Sequence, residues 1–457
     1  MVRVINQQTF DDVVKENMED FGMAVEEAIE EAVQQFEAQG VNLTNIVKSA
    51  AMAEGKDPLV MCVKQLQDVL KLSSSSPLNV AGLLAELKAD CEKDLARRVL
   101  AGKEGAYPTL LDVLDKFSTD DSTVKLCLQT LASVMNGFPD LLDGRGVKTI
   151  TSVLNTSKNT EVLQDVLQWA RVCCLNHERN RQLIMDADVI PALKAFIVED
   201  VPTLLPEVCG VMRALTLDDD VRADVSKAHT HASSLAVEVL CPLTNLLAKY
   251  KSDKTLVLEL LLTINSLIVR NEFCAKVEEA GGIVFAIDVL TEYPDNERIV
   301  SNSLKLLKGL AGNDDVKQKI MQAGAPSLVM LSLSRHQKSP KVCNAGLSCV
   351  TILTLRSQEN SKIFMEQGAA EIILQIMKIH PKVLKVQRNC CWAIRNIVSR
   401  SPSLRATFLK LGAEELINAA RRQHKEIDYD GKSALRDLDC KVDFKEQWKG
   451  KGNPVIN

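Results

Sequence analysis

Two histidines one residue apart, His229 and His231, with Asp220 and Asp224 upstream, come nearest in this chain to a metal-binding set. Imidazole nitrogens and carboxylates hold Zn2+ when three or four of them close a tetrahedral shell. Two histidines do not define that shell, so a metal-dependent protein using His229 and His231 is kept only as an alternative reading. No catalytic constellation stands beside them. The chain has no Gly-rich phosphate loop, no His-Glu-x-x-His, no Gly-x-Ser-x-Gly and no Cys-x-x-Cys; those spacings are what bring a nucleophile, metal or phosphate against its activating groups. Neither enzymatic activity nor a cofactor is expected. The acidic loops Asp218-Asp219-Asp220 and Asn313-Asp314-Asp315 precede helical patterns and read as N-terminal caps, because side-chain oxygens satisfy free backbone amides there.

Arginines recur near the C-terminal ends of apolar helical runs: Arg171, Arg213, Arg270, Arg356, Arg395 and Arg400. One reading is electrostatic capping, since a cation opposes the negative end of the helix dipole. The other is recognition, since a row of guanidinium groups binds carboxylates of an acidic or extended peptide. Net charge is -5, from 55 Lys plus Arg against 60 Asp plus Glu. That balance argues against nucleic acid as a partner, which calls for a basic excess. The thirteen cysteines fall mostly inside apolar runs and are expected to be reduced core residues of an intracellular, cytosolic protein, with the nucleus as a further location. No stretch approaches eighteen uninterrupted apolar residues, so neither secretion nor a membrane span is expected.

The elements that must position these residues are helices. Aromatics are 4% of the chain, and Leu, Ala, Val, Glu and Lys dominate, which points to an all-α protein. Glu279-Ala280-Gly281, Gln322-Ala323-Gly324, Glu366-Gln367-Gly368 and Lys410-Leu411-Gly412 repeat at spacings of 43, 44 and 44 residues. Eight units follow, anchored at Gly105, Gly146, Asp188, an irregular position near Ser234, Gly281, Gly324, Gly368 and Gly412. The period is that of a helical solenoid, in which each unit buries its apolar face only against its neighbours. Residues 360 to 400 give the plan: a helix ending before Gly368, a second through Ile372, Ile376 and Met377, a break at His380-Pro381, and a third over Val386 to Val398.

Three unequal helices around a glycine turn resemble the armadillo repeat, over roughly residues 78 to 440. Glu37-Ala38-Gln39-Gly40-Val41-Asn42, Asn176-His177-Glu178-Arg179-Asn180-Arg181 and Arg270-Asn271-Glu272-Phe273-Cys274 lie outside the repeat core and are similar to segments found within that family. The resemblance implies a right-handed α-solenoid, a superhelix of three-helix repeats with an N-terminal helical extension. It also implies a non-enzymatic scaffold binding an extended or helical partner segment in its concave groove. In importin-type members a Trp and an Asn four residues apart on the third helix face that groove. Trp392 and Asn396 match this spacing, whereas Trp169 stands with Cys173, and Cys209 with Arg213. The ladder is thus incomplete, which weighs against a nuclear transport adaptor, the second reading. Trp169, Arg213, Arg270, Arg356, Trp392, Arg395 and Asn396 are the candidate groove contacts; packing is the competing reading for both tryptophans.

The expected organisation is an acidic helical segment over 1 to 48, a linker with a short helix over 49 to 77, the solenoid over 78 to 440 and a tail over 441 to 457. Between Asp11 and Glu37 lie ten acidic residues and one lysine, Lys15. Such a hairpin either folds against the first repeat or acts as a detachable binding element. The partner is expected to be a protein and the chain a monomer.

Overall fold

The computed structural model describes residues 3–53, 55–72 and 76–443; the expected tail lies outside them from residue 444 onward. Two compact units divide the chain, Met1–Ala232 and Ser233–Asn457.

The first unit opens with a small module of its own. A strand, β1 (Arg3–Val4), and helices α1 (Gln7–Glu19) and α2 (Val25–Ala38) lead to β2 (Val41–Asn42), which pairs parallel with β1. Asn6 caps α1 by accepting the Thr9 N–H at 2.8 Å. Phe10, Val14, Ala28, Ala32, Phe36, Val41, Leu43 and Ile46 bury a separate core, with the Phe10 and Phe36 rings 6.1 Å apart. Gln7 closes the module: its amide nitrogen donates to the Val47 carbonyl at 2.9 Å, and its oxygen accepts the Val47 N–H at 2.8 Å. Glu26, Glu27 and Glu30 are exposed on α2.

Then follow α3 (Ala50–Ala53), α4 (Pro58–Lys71), α5 (Pro77–Cys91), α6 (Leu95–Lys103), α7 (Ala106–Lys116), α8 (Asp121–Met135), α9 (Gly144–Thr156), α10 (Thr160–Cys174), α11 (Glu178–Asp186), α12 (Ile190–Val198) and α13 (Leu205–Leu215). Residues 49 to 77 hold more than a linker. Helix α4 buries Leu59, Cys62, Val63 and Leu66 and packs on α5 and α7. Its cap, Asp57, is 1% exposed and ion-paired to Arg97 at 2.7 Å. A helix pair, α4 and α5, therefore precedes the unit anchored at Gly105. Helices α5, α8, α10 and α13 pack in that order as a row of third helices.

The division between units falls within α14 (Ala228–Lys249), a 22-residue helix with Pro242 inside it. It occupies the irregular fourth position. The second unit continues with α15 (Lys254–Leu267), α16 (Asn271–Glu279), α17 (Gly282–Glu292), α18 (Glu297–Leu310), α19 (Asp314–Gln322), α20 (Ala325–Arg335), α21 (Pro340–Thr354), α22 (Gln358–Glu366), α23 (Ala369–Ile379), α24 (Leu384–Val398), α25 (Arg405–Lys410), α26 (Ala413–Gln423) and α27 (Asp428–Asp437). Its third helices α15, α18, α21, α24 and α27 again pack in sequence.

Five anchor glycines, Gly105, Gly281, Gly324, Gly368 and Gly412, are the N-caps of second helices, whereas Gly146 lies inside the first turn of α9 and the position near Ser234 inside α14. Gly281, Gly324, Gly368 and Gly412 have φ of 86, 81, 78 and 85°, a left-handed backbone that a Cβ disfavours. Asp188 likewise takes a left-handed backbone, at φ 57°, a conformation that Asp visits more readily than most non-glycine residues.

The ends of the second helices carry an unanticipated device. Tyr293, His336, His380 and His424 are the C-terminal caps of α17, α20, α23 and α26. Tyr293 Oη donates to the Lys251 carbonyl at 2.8 Å. The Nε2 atoms of His336, His380 and His424 meet the carbonyls of Pro294, Gln337 and Pro381 at 2.7, 2.7 and 2.9 Å. Each side chain thereby stitches its unit to the loop before the preceding third helix.

Candidate functional site

Trp169 and Arg213 belong to the first unit, the other five candidates to the second. Trp169 is no groove contact. Its side chain is 0% exposed, and its indole N–H points at Met135 Sδ, 3.1 Å away. Arg213 is half-buried in the last turn of α13. Arg270 is exposed three residues beyond α15, at the N-cap position of α16 without a side-chain capping bond, and lies 3.6 Å from Glu272. Arg356 is exposed with φ 61° in the turn between α21 and α22, and lines a cavity with Asp314 and Lys317 beside the first helices.

Trp392, Arg395 and Asn396 do come together on α24. Trp392 is 38% exposed, and its Nε1 donates to Asp430 Oδ1 on α27 at 2.8 Å. Arg395 Nε lies 3.4 Å from Asp437 Oδ2. Asn396 Nδ2 donates to the Thr351 carbonyl on α21 at 2.8 Å. One amide donor of Asn396 is thus engaged within the chain; the side-chain oxygen keeps its acceptor capacity. Arg395 neither caps its own helix nor stands free, because it reaches the next third helix. Arg171 behaves alike, 3.9 Å from Glu207 on α13.

Amides that the sequence reading passed over complete this face. Asn265 Nδ2 donates to the Asn302 carbonyl at 3.0 Å, and Lys305 Nζ to Asn302 Oδ1 at 3.3 Å. Asn389 Nδ2 donates to Asn344 Oδ1 and Ser348 Oγ at 2.8 and 2.9 Å. Every third helix from α15 to α27 is therefore tied to a neighbour by a polar side chain on the same row. Recurrence of Asn at intervals of 42 to 45 residues, Asn302, Asn344 and Asn389, was the available signal.

The first unit carries a comparable row. Lys88 Nζ donates to Gln129 Oε1 at 3.0 Å, and Gln129 Nε2 to Asp165 Oδ2 at 3.1 Å, linking α5, α8 and α10. They border a cavity of about 610 Å3 lined also by Arg98, Asn136, Gln168 and Arg171. Burial pushes the Asp165 carboxyl up, against the Gln129 hydrogen bond and the Lys125 and Lys88 charges.

The histidine pair does not converge on a metal. Residues two apart on a helix point about 200° apart around its axis. His231 is buried with Nδ1 3.1 Å from the Leu215 carbonyl, while His229 is exposed. Among the described residues no group of three His, Cys, Asp or Glu could hold a metal. The acidic loop caps a helix, but not the one that follows: Asp219 and Asp220 accept the N–H groups of Asn176 and Glu178 at 3.2 and 2.9 Å, at the start of α11. Asn313 caps α19 as expected. Eleven of the thirteen cysteines are buried and all are free thiols. Burial pushes Cys174 and Cys349 up to about 12, which leaves these thiols without reactive thiolate at neutral pH.

Three-helix units of about 44 residues, turned at a left-handed glycine and packed third helix on third helix, define an armadillo-repeat protein. No described helix is long and apolar enough to cross a membrane. The ARMC6 family model matches residues 60–457, and that of the Armadillo repeat-containing protein 6 N-terminal domain matches residues 2–60. The chain belongs to the armadillo repeat-containing protein 6 family. It is 40% identical to the Armadillo repeat-containing protein 6 homolog of Drosophila melanogaster, across 100% of both chains. Against Armadillo repeat-containing protein 6 of Homo sapiens it is 36% identical, covering 98% of this chain and 93% of that one. A crystal structure of an engineered protein shares the fold at a TM-score of 0.57 and 14% identity, covering 84% of this chain and 99% of that one.

Proposed function

We propose that this chain is a non-enzymatic protein-binding scaffold whose third-helix face in the second unit holds an extended segment of a partner protein. The observation that carries the reading is Trp392, a large aromatic 38% exposed within a row of polar side chains already fixed by inter-helix hydrogen bonds. Rigid aromatic anchors surrounded by ordered polar groups are what binding hot spots are made of, and pre-fixed side chains reduce the entropy lost on association. Arg388 and Arg395 flank it, each sharing a carboxylate of α27, so acidic side chains of the segment would compete for the same guanidinium groups.

The test is selection of extended peptides from a displayed library on the full chain, repeated on Trp392→Ala and on Leu331→Ala. Leu331 is 55% exposed but lies on α20, a second helix. Loss of selected peptides with Trp392→Ala alone is expected. Equal retention by both variants would remove the third-helix face from consideration. Asn396 is a poor test residue, because its replacement also breaks the bond to Thr351.

A further inference from the structure

A second candidate site lies in the first unit, at the N-terminal ends of the third helices α8 and α10. Helices α7, α8 and α9, the loop into α10 and the first turn of α10 border an open cleft of about 650 Å3, within the size range that small organic ligands occupy. Its floor is apolar, made by buried Leu114, Val124 and Val162 with half-buried Val153. Its walls are polar, and their charges are unevenly committed.

The acidic and guanidinium groups in it are already engaged with other side chains. Arg145 Nη2 lies 2.6 Å from Asp115 Oδ2 and 2.6 Å from Asp112 Oδ1, and Asp121 Oδ2 accepts Asn159 Nδ2 at 2.8 Å. Thr149 and Thr156 donate their hydroxyl protons to the carbonyls of Arg145 and Ser152 within α9. Lys148 and Lys158 line the same cavity, and among the described residues their ammonium groups have no hydrogen-bond or ion-pair partner. Ser118 and Ser152 add uncommitted hydroxyls. The cavity thus offers two ammonium groups and hydroxyl donors without side-chain partners, while its carboxylates, Asp115 and Asp121, each already accept a side-chain donor. A lysine ammonium has three donors and no acceptor, so the complementary ligand is an anion with several acceptor oxygens and close to two negative charges. A phosphate monoester has both.

We propose that this cavity binds a small organic phosphate, its phosphoryl oxygens held by Lys148 and Lys158 and its body covering the Leu114, Val124, Val153 and Val162 floor. The site is independent of the partner-binding face, and either can stand without the other.

Isothermal titration of the full chain tests it with two probes, phenyl phosphate and inorganic phosphate, against the intact chain and the Lys148→Glu/Lys158→Glu double variant. Saturable one-to-one binding of phenyl phosphate is expected. Inorganic phosphate should bind at least about tenfold more weakly, because it covers none of the apolar floor. The double variant should lose at least about tenfold in phenyl phosphate affinity, since two charge-assisted contacts become repulsions. Its melting temperature should be unchanged, because neither lysine holds an internal contact. Absence of saturable binding at about 10 mM, equal affinity for the two probes, or unaltered binding by the double variant would each overturn the proposal.

Discussion

Arg181 is the residue on which the middle of the first unit turns. It is 0% exposed, yet its guanidinium reaches Glu178 Oε2 at 3.0 Å, Asp219 Oδ1 at 2.6 Å and the Cys174 carbonyl at 2.8 Å. A buried ion pair adds little net stability while intact, but removing one partner strands the other charge. Arg181→Met is therefore expected to cost about 3–5 kcal/mol, read as a shift of the denaturant midpoint, whereas the exposed Arg179→Met should cost almost nothing. The same cluster sets a pH dependence. Burial raises Glu178, but hydrogen bonds from Gln182, the Lys227 N–H and Arg181 outweigh it and hold the carboxyl low. Asp220 is held far below its ordinary range by Arg222, with burial opposing and the Glu178 and Arg222 N–H groups assisting. Both folded values lie below the unfolded ones. Their contribution is thus fully present above the ordinary carboxylate range and is lost as pH falls through the folded values. Thermal melts against pH should show the intact chain weakening in acid, and Glu178→Gln/Asp220→Asn should flatten that slope while lowering stability at neutral pH. A parallel slope in the variant would show that other carboxylates govern it.

Helices were the most legible level of this chain, because an apolar stripe and a glycine stop are local patterns. Residues 360 to 400 read as three helices broken at Gly368 and His380-Pro381, and α22, α23 and α24 lie there. The contacts between helices were less legible. Trp169 and Trp392 both sit on third helices, yet one is sealed under Met135 and the other is part-exposed beside Asp430. That difference depends on residues 34 and 38 positions away, which no local pattern reports. His336, His380 and His424 recur every 44 residues, but their meaning depends on carbonyls 42 or 43 positions earlier. Tyr293→Phe probes the device with one atom. It deletes the bond to the Lys251 carbonyl and leaves the ring in place, so about 0.5–1.5 kcal/mol should be lost. A similar loss is expected for His380→Phe, whose Nε2 bond to the Gln337 carbonyl is buried on the histidine side. An unchanged melting temperature in both would mean that water replaces these donors at no cost.

For the whole molecule, the stacking of third helix on third helix within each unit has a consequence for how stability is distributed. Within each unit a third helix touches its immediate neighbours in the row, so a repeat's stability is the sum of its own terms and those of its interfaces. The chain has two compact units, and destabilisation introduced in one is expected to register first within that unit. Hydrogen exchange on the full chain can resolve this, because it reports opening free energies segment by segment. Arg181→Met should speed exchange in α10, α11 and α13, whose ends its partners hold, while α18 to α24 keep the protection of the intact chain. His380→Phe should do the reverse, loosening α20 to α24 and leaving α8 to α11 untouched. Uniform acceleration along the whole chain in either variant would mean that the two units unfold as one cooperative body, and that single-site effects on a binding face in one unit would register as losses in the other.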